Sequence, residues 1–218
     1  MNLKEYLGKI NKSECPQECT LKSKEHLKFA LIHPPDKILG VIISRDPTFK
    51  WWGYHEFQTN EPQEKDARRR NLFDSAIPGL VIDRISKFMG DRINNDEREY
   101  LYHIIFQKLY WTHMHKCFTD EKYLPFEIKN ANKCAEGWLK EELDIVIKSR
   151  NNKTKFIIAL GREVQNWIKE WRRKSTRNKT VKIIKLPHPS GRSRKWNDKD
   201  DVEILKAIEE LLRVCRED

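Results

Sequence analysis

Residues 38–44 read ILGVIIS, a continuous apolar run rich in β-branched side chains. A run that does not alternate marks a strand buried on both faces, the pattern of a parallel sheet. Three further short runs read as strands: residues 110–115 (YWTHMH), 155–160 (KFIIAL) and 180–186 (TVKIIKL), the last by its alternation. Helical periodicity fills the intervals. Val81, Ile85, Phe88 and Met89 fall on one face of a helix over 80–89, and a second helix covers about 96–109. A third, over 131–148, carries the apolar stripe Trp138, Leu139, Leu143, Val146 and Ile147. A turn at Gly161 opens a helix over 162–173. A last helix, over about 198–215, buries Val202, Leu205, Ile208, Leu212 and Cys215, with Asn197 or Asp198 as its N-cap. Four buried strands separated by helices predict an α/β three-layer sandwich with a central parallel sheet of about four strands flanked by helices.

The 218 residues suit a single domain. Residues 1–30 form an arm containing a close cysteine pair, and the polar stretch 58–71 (QTNEPQEKDARRRN) reads as a surface excursion. Forty-three Lys and Arg against 33 Asp and Glu give a formal charge of +10, which favours a polyanionic partner, nucleic acid before membrane. The first ten residues are charged throughout, unlike a signal peptide, and no apolar run reaches membrane-spanning length. The expectation is a soluble, cytoplasmic monomer.

Ligands of doubly wound sheets collect beyond the carboxyl ends of the strands. Three loops converge there, at 44–48, 112–117 and 188–194, and they bring Asp46, His113 and His188 to three strand ends. Residues 186–196 read LPHPSGRSRKW. Pro187 and Pro189 fix the backbone around His188, Ser190 and Gly191 turn the chain, and Arg192, Arg194 and Lys195 set three cations beside Trp196. Such a loop can grip a phosphate backbone, or it can be a proline-rich exit with solvated charges. Of the five cysteines, Cys215 reads as core. Cys15, Cys19, Cys117 and Cys134 can bind zinc or an iron–sulfur cluster, or be four separate buried thiols.

Together these residues resemble the uracil-DNA glycosylase superfamily, especially its iron–sulfur type, family 4. The likeness runs from Cys15 to about residue 200 in order: a cysteine pair, a strand ending in an acid-proline turn, Thr112-x-x-x-Lys116-Cys117, a cysteine opening the next helix, the IIALG strand-turn, and a His-Pro-Ser loop. There are departures. The cysteine pair is spaced by three residues where the family usually has two. Ser44-Arg45-Asp46-Pro47-Thr48 stands where GEAPG is common, closer to the GQDP form. THMHKC replaces TNVVKC, so His113 occupies the position of the uracil-reading asparagine.

The resemblance implies a DNA glycosylase that acts on DNA containing a damaged base. It would hydrolyse the N-glycosidic bond of a deaminated base, uracil or hypoxanthine, and leave an abasic site. Asp46 would stabilise the cationic sugar and orient water, unless it only caps its turn. His188 would donate to the departing base. His113 would read the base, unless it points away or pairs with Asp46. Phe57 would stack on the base, with Tyr54 and Trp52 as rivals, unless all three are core residues. Ser190, Arg192, Arg194 and Lys195 would contact DNA, with Arg192 either a wedge or a phosphate contact. Cys15, Cys19, Cys117 and Cys134 would hold a 4Fe-4S cluster. No lysine stands out as a Schiff-base nucleophile, which implies a monofunctional enzyme. The alternative is a non-catalytic iron–sulfur nucleic-acid-binding protein on the same fold.

Overall fold

A computed structural model of the chain describes residues 1–12, 28–29, 34–46, 77–118, 128–149, 154–174, 180–190 and 193–216. Cys15, Cys19, Phe57, Tyr54, Trp52, Arg192 and the stretch 58–71 lie outside the described residues. The helices are α1 (Leu3–Lys12), α2 (Ile77–Met89), α3 (Asn95–Gln107), α4 (Ile128–Cys134), α5 (Lys140–Lys148), α6 (Arg162–Arg173) and α7 (Val202–Arg216). The strands are β1 (Lys28–Phe29), β2 (Gly40–Ser44), β3 (Leu109–His113), β4 (Cys117–Phe118), β5 (Phe156–Leu160) and β6 (Lys182–Leu186). Four of them form a wholly parallel sheet in the order β3-β2-β5-β6. β1 and β4 pair antiparallel as a separate ribbon, with Phe29 opposite Cys117.

The sheet is covered on both faces, as the unbroken apolar strands β2 and β5 require. On one side Ile42, Trp111, Ile158 and Ile184 pack with the apolar stripes of α2, α3 and α7. On the other, Val41, Ile43, Tyr110, Ile157 and Ala159 pack with α1, α5 and α6. Alternate residues of one strand thus enter different cores, which is the three-layer α/β sandwich. Gly40 is required by that packing. It lies in register with Phe156, and a Cβ there would sit 2.6 Å from the Phe156 ring.

Local boundaries differ from expectation in three places. The strand expected over 110–115 spans Leu109–His113, because β2 has already turned away at Arg45. Beyond it only single bonds continue, from Met114 N–H to Ser44 O and from His115 N–H to Arg45 O, both 2.9 Å. The last helix starts at Val202 and is capped by Asp201, not by Asn197 or Asp198. Asp201 Oδ1 accepts from the backbone of Glu203 and Ile204 at 3.0 and 3.1 Å, while Asp198 closes its own turn onto Asp200 N–H. Val202, expected in the core, is 57% exposed, since the first helical residue faces away from the sheet. Finally, the helix expected over 131–148 contains a π turn, Ala135–Leu139, between α4 and α5.

Gly40→Ala is expected to destabilise the fold by about 1–3 kcal/mol, the usual cost of overpacking a filled core. Urea unfolding checks this; an unchanged midpoint would mean that the Phe156 ring moves aside freely.

Candidate active site

The four strands stop in one row. Ser44 is in register with His113, Ile43 with Ala159, and Leu160 with Leu186. The chain leaves β2 for β3 on one side and places β5 and β6 on the other, so the crevice between β2 and β5 is the switch point of the sheet. The loops that follow these strands surround it.

From β2 come Arg45 and Asp46. Arg45 Nε donates to Asp46 Oδ2 at 2.6 Å, and its guanidinium reaches Glu163 Oε1 on α6 at 3.8 Å. The other Asp46 oxygen, Oδ1, stands 3.4 Å from His115 Nδ1, an electrostatic contact and not an aligned hydrogen bond. Asp46 Oδ1 is buried and has no hydrogen-bond partner among the described residues.

From β3 come His113, His115 and Lys116, each 3% exposed or less. His113 Nδ1 lies 2.5 Å from Ser44 Oγ, while its Nε2 is buried without a partner among the described residues. His113 thus does not pair with Asp46; the neighbouring imidazole, His115, does. Burial, then the positive charge of Lys116, pushes His113 down to about 3, so its ring is neutral across the physiological range. Lys116 Nζ pairs with Glu142 Oε2 of α5 at 2.5 Å and donates to Thr112 Oγ1. Tyr110 OH donates to the other Glu142 oxygen at 2.7 Å, and burial, then Glu142, raises that phenol well above its ordinary value. The Lys116 backbone N–H points at Cys134 Sγ, 3.4 Å away.

From β5 and β6 come Gly161 and His188. Gly161 adopts φ +83°, which is left-handed backbone, and a Cβ on it would meet His188 Cβ at 3.3 Å. The imidazole therefore sits directly over the start of α6. Its loop is held from three directions: Trp196 Nε1 donates to His188 O at 3.0 Å, Arg84 Nε donates to Pro189 O at 3.0 Å, and Ser193 N–H donates to Ser190 O at 3.1 Å. Trp196 is anchored edge-on against Phe88 of α2. Ser190 N–H donates to His188 Nδ1 at 3.2 Å, so the neutral ring carries its proton on Nε2. Burial and then Arg45 lower its pKa, while Asp46 and Glu163 oppose them.

Of the residues singled out from sequence, Asp46, His113 and His188 thus stand at one sheet edge. Ser190 belongs to the same loop as His188. Arg194 and Lys195 are exposed on a short 3-10 helix, Arg194–Asn197, with Lys195 Nζ 3.9 Å from Glu203. Cys134 lies beside Lys116, and Cys117 is on β4. Sequence reasoning missed Ser44, His115 and the Lys116–Glu142 pair. His115 carried a signal, as a second histidine two residues beyond His113, but Ser44 carried none.

A family model described as the uracil DNA glycosylase superfamily matches residues 60–212, more than half of the chain. The protein belongs to that superfamily. The match takes in His113, Cys117, Cys134 and His188 of this uracil DNA glycosylase superfamily member, and it begins after Asp46 and the N-terminal cysteine pair. No curated protein and no solved structure matches the chain. Superfamily members are generally DNA glycosylases. No helix among the described residues is long and apolar enough to cross a membrane.

The buried imidazole makes stability depend on pH. The folded protein holds His113 neutral down to about 3, whereas an exposed histidine takes up a proton near 6.5. Its contribution is complete above the latter pH and is lost as pH falls through that window. Between neutrality and pH ~5 this amounts to about 2 kcal/mol. His113→Asn, which cannot protonate, should flatten the fall of thermal midpoint with pH over this range; parallel curves would contradict the burial of the ring.

Proposed function

We propose that the protein is a monofunctional DNA glycosylase that hydrolyses the N-glycosidic bond of a deaminated base in DNA and leaves an abasic site. One observation carries the reading. Two buried polar atoms, Asp46 Oδ1, which has only the His115 ring 3.4 Å away, and His113 Nε2, have no hydrogen-bond partner among the described residues, and they stand at the ends of adjacent strands on the ligand-binding edge of the sheet. Buried polar atoms are paired in the great majority of cases, so two orphans together call for a ligand. Base extrusion would bring one to each atom: the sugar and its attacking water to Asp46, the base edge to His113.

The division of labour follows from the residues. As the glycosidic bond lengthens, the sugar gains positive charge, which the Asp46 carboxylate offsets while it orients a water at the anomeric carbon. The base leaves as an anion. His188 is neutral with its proton on Nε2, and it donates to that developing charge without an ionisation step. Phe57 would stack on the extruded base. Ser190, Arg192, Arg194 and Lys195 would hold the DNA backbone, in line with the +10 charge. A second reading is a non-catalytic nucleic-acid-binding protein, favoured by the grip of Arg45 on Asp46 at 2.6 Å.

Single-turnover base release from oligonucleotides carrying one uracil or hypoxanthine separates the two readings. Asp46→Asn and His188→Ala should each slow release by about a hundredfold or more while DNA affinity is largely kept. Release should persist below pH 6.5, the ordinary histidine value, because burial and Arg45 keep the His188 ring neutral there. No release of any deaminated base by the parent protein would favour the binding protein.

Cys15, Cys19, Cys117 and Cys134 are proposed to hold a 4Fe-4S cluster, as in the family 4 type. Among the described residues no three His, Cys, Asp or Glu side chains are grouped as metal ligands, the two N-terminal cysteines lying outside them. The surroundings fit the group. Cys134 Sγ takes the N–H of Lys116, the residue before Cys117, as a thiolate would. The β1–β4 ribbon sets Phe29, downstream of the cysteine pair, against Cys117. When bound, the cluster would supply a covalent staple between the N-terminal arm and the end of β3. Anaerobically purified protein should contain iron and sulfide in equal amounts and absorb broadly in the visible, and Cys134→Ser should lose both; stoichiometric zinc would refute the assignment.

A further inference from the structure

His113 can read a base as a donor or as an acceptor, and the choice lies with its neighbour. Ser44 Oγ touches two groups: the Asp46 carbonyl oxygen at 3.3 Å and His113 Nδ1 at 2.5 Å. A carbonyl can only accept. The single hydroxyl proton of Ser44 satisfies both contacts only when it is given to Asp46 O, so that Oγ accepts from a protonated Nδ1. The reverse arrangement, with the proton given to Nδ1, would aim an oxygen lone pair at the carbonyl. A neutral imidazole carries one N–H, and here it is spent on Ser44. The Nε2 that remains, buried and without a partner among the described residues, is a bare lone pair.

We infer that Ser44 is a positioning residue that fixes the tautomer of His113, so that Nε2 accepts a hydrogen bond and the site takes bases with a protonated ring nitrogen on the pairing edge. This rests on the glycosylase reading and deepens it. Deamination changes that atom. Cytosine N3 and adenine N1 are bare acceptors, whereas uracil N3 and hypoxanthine N1 carry a hydrogen. A fixed acceptor opposite this atom bonds the deaminated base and meets the parent base lone pair to lone pair. Sites built around such a contact discriminate strongly, because the wrong partner leaves a buried group unpaired. One acceptor suffices for a pyrimidine and a purine alike, because uracil N3–H and hypoxanthine N1–H hold the same place on the pairing edge. Guanine and thymine also carry the hydrogen, so their rejection falls to the shape of the crevice and not to His113.

The test has two arms. Long-range 15N–1H correlation spectra of the full-length, histidine-labelled protein read the tautomer without any substrate. His113 should show a protonated Nδ1 and an unprotonated Nε2, and Ser44→Ala should redistribute the proton. In the second arm, binding is measured to oligonucleotides whose target nucleotide is a cleavage-resistant 2′-fluoro analogue of deoxyuridine or deoxycytidine. The parent should prefer uracil by about tenfold or more, Ser44→Ala should lose most of that preference, and Ser44→Thr, which keeps the hydroxyl, should retain it. A protonated Nε2 in the parent overturns the inference whatever the activity. Equal binding of the two bases by a parent that does release uracil overturns it and leaves the glycosylase reading standing. Selective binding, lost in Ser44→Ala, by a parent that releases no base supports the inference and sinks the catalytic reading.

Discussion

The register of the parallel sheet is the constraint on which the rest of the site depends. Ser44 is paired with His113 across β2 and β3, and residues in register on neighbouring strands point to the same face. Their side chains meet for that reason alone. A slip of one residue would send His113 to the opposite core and leave Ser44 facing a methionine. The same ladder brings β5 to β2 and β6 to β5, so Gly161 and then His188 arrive at the height of Asp46. No loop has to search for its place; each leaves its strand on the same row.

Around that row the charges are arranged to keep imidazoles neutral. Lys116 lies under His113 and Arg45 lies beside His188, and each disfavours a second positive charge on its neighbour. The two cations are themselves held by acids, Lys116 by Glu142 and Arg45 by Asp46 and Glu163. The Lys116–Glu142 pair is almost completely buried, and such pairs contribute little net stability while being costly to break. Its value here is positional. It ties the end of β3 to α5, and with it the backbone that presents His113 and leads to Cys117.

How far the sequence is legible depends on how local the determinant is. The strands β2 and β5 could be read because a strand buried on both faces shows an unbroken apolar run, β6 because its lysines alternate with apolar residues, and the helix faces because their period is short. Gly161, Asp46 and His188 could be placed because each follows such a run directly. The Ser44–His113 contact joins positions 69 residues apart, and nothing about a serine at a strand end announces it. The end of β3 was read two residues too long because apolar character continues to Met114, although β2 has already turned. The cap of α7 was misplaced because three aspartates, Asp198, Asp200 and Asp201, compete within four residues, and only geometry selects one.

The π turn at Ala135–Leu139 sets the helical phase between two contacts with one residue. Cys134 precedes it and meets the backbone of Lys116; Glu142 follows it and meets the side chain of Lys116. In an unbroken α-helix the eight residue steps from Cys134 to Glu142 would make about 2.2 turns and rotate the two groups roughly 80° apart. A wider turn takes up most of that excess, and both groups face β3. Segment length and helix type are matched here: with one residue fewer, seven steps of an ordinary α-helix would make about 1.9 turns and leave the two groups within roughly 20° of each other, so the π turn is what absorbs the eighth step.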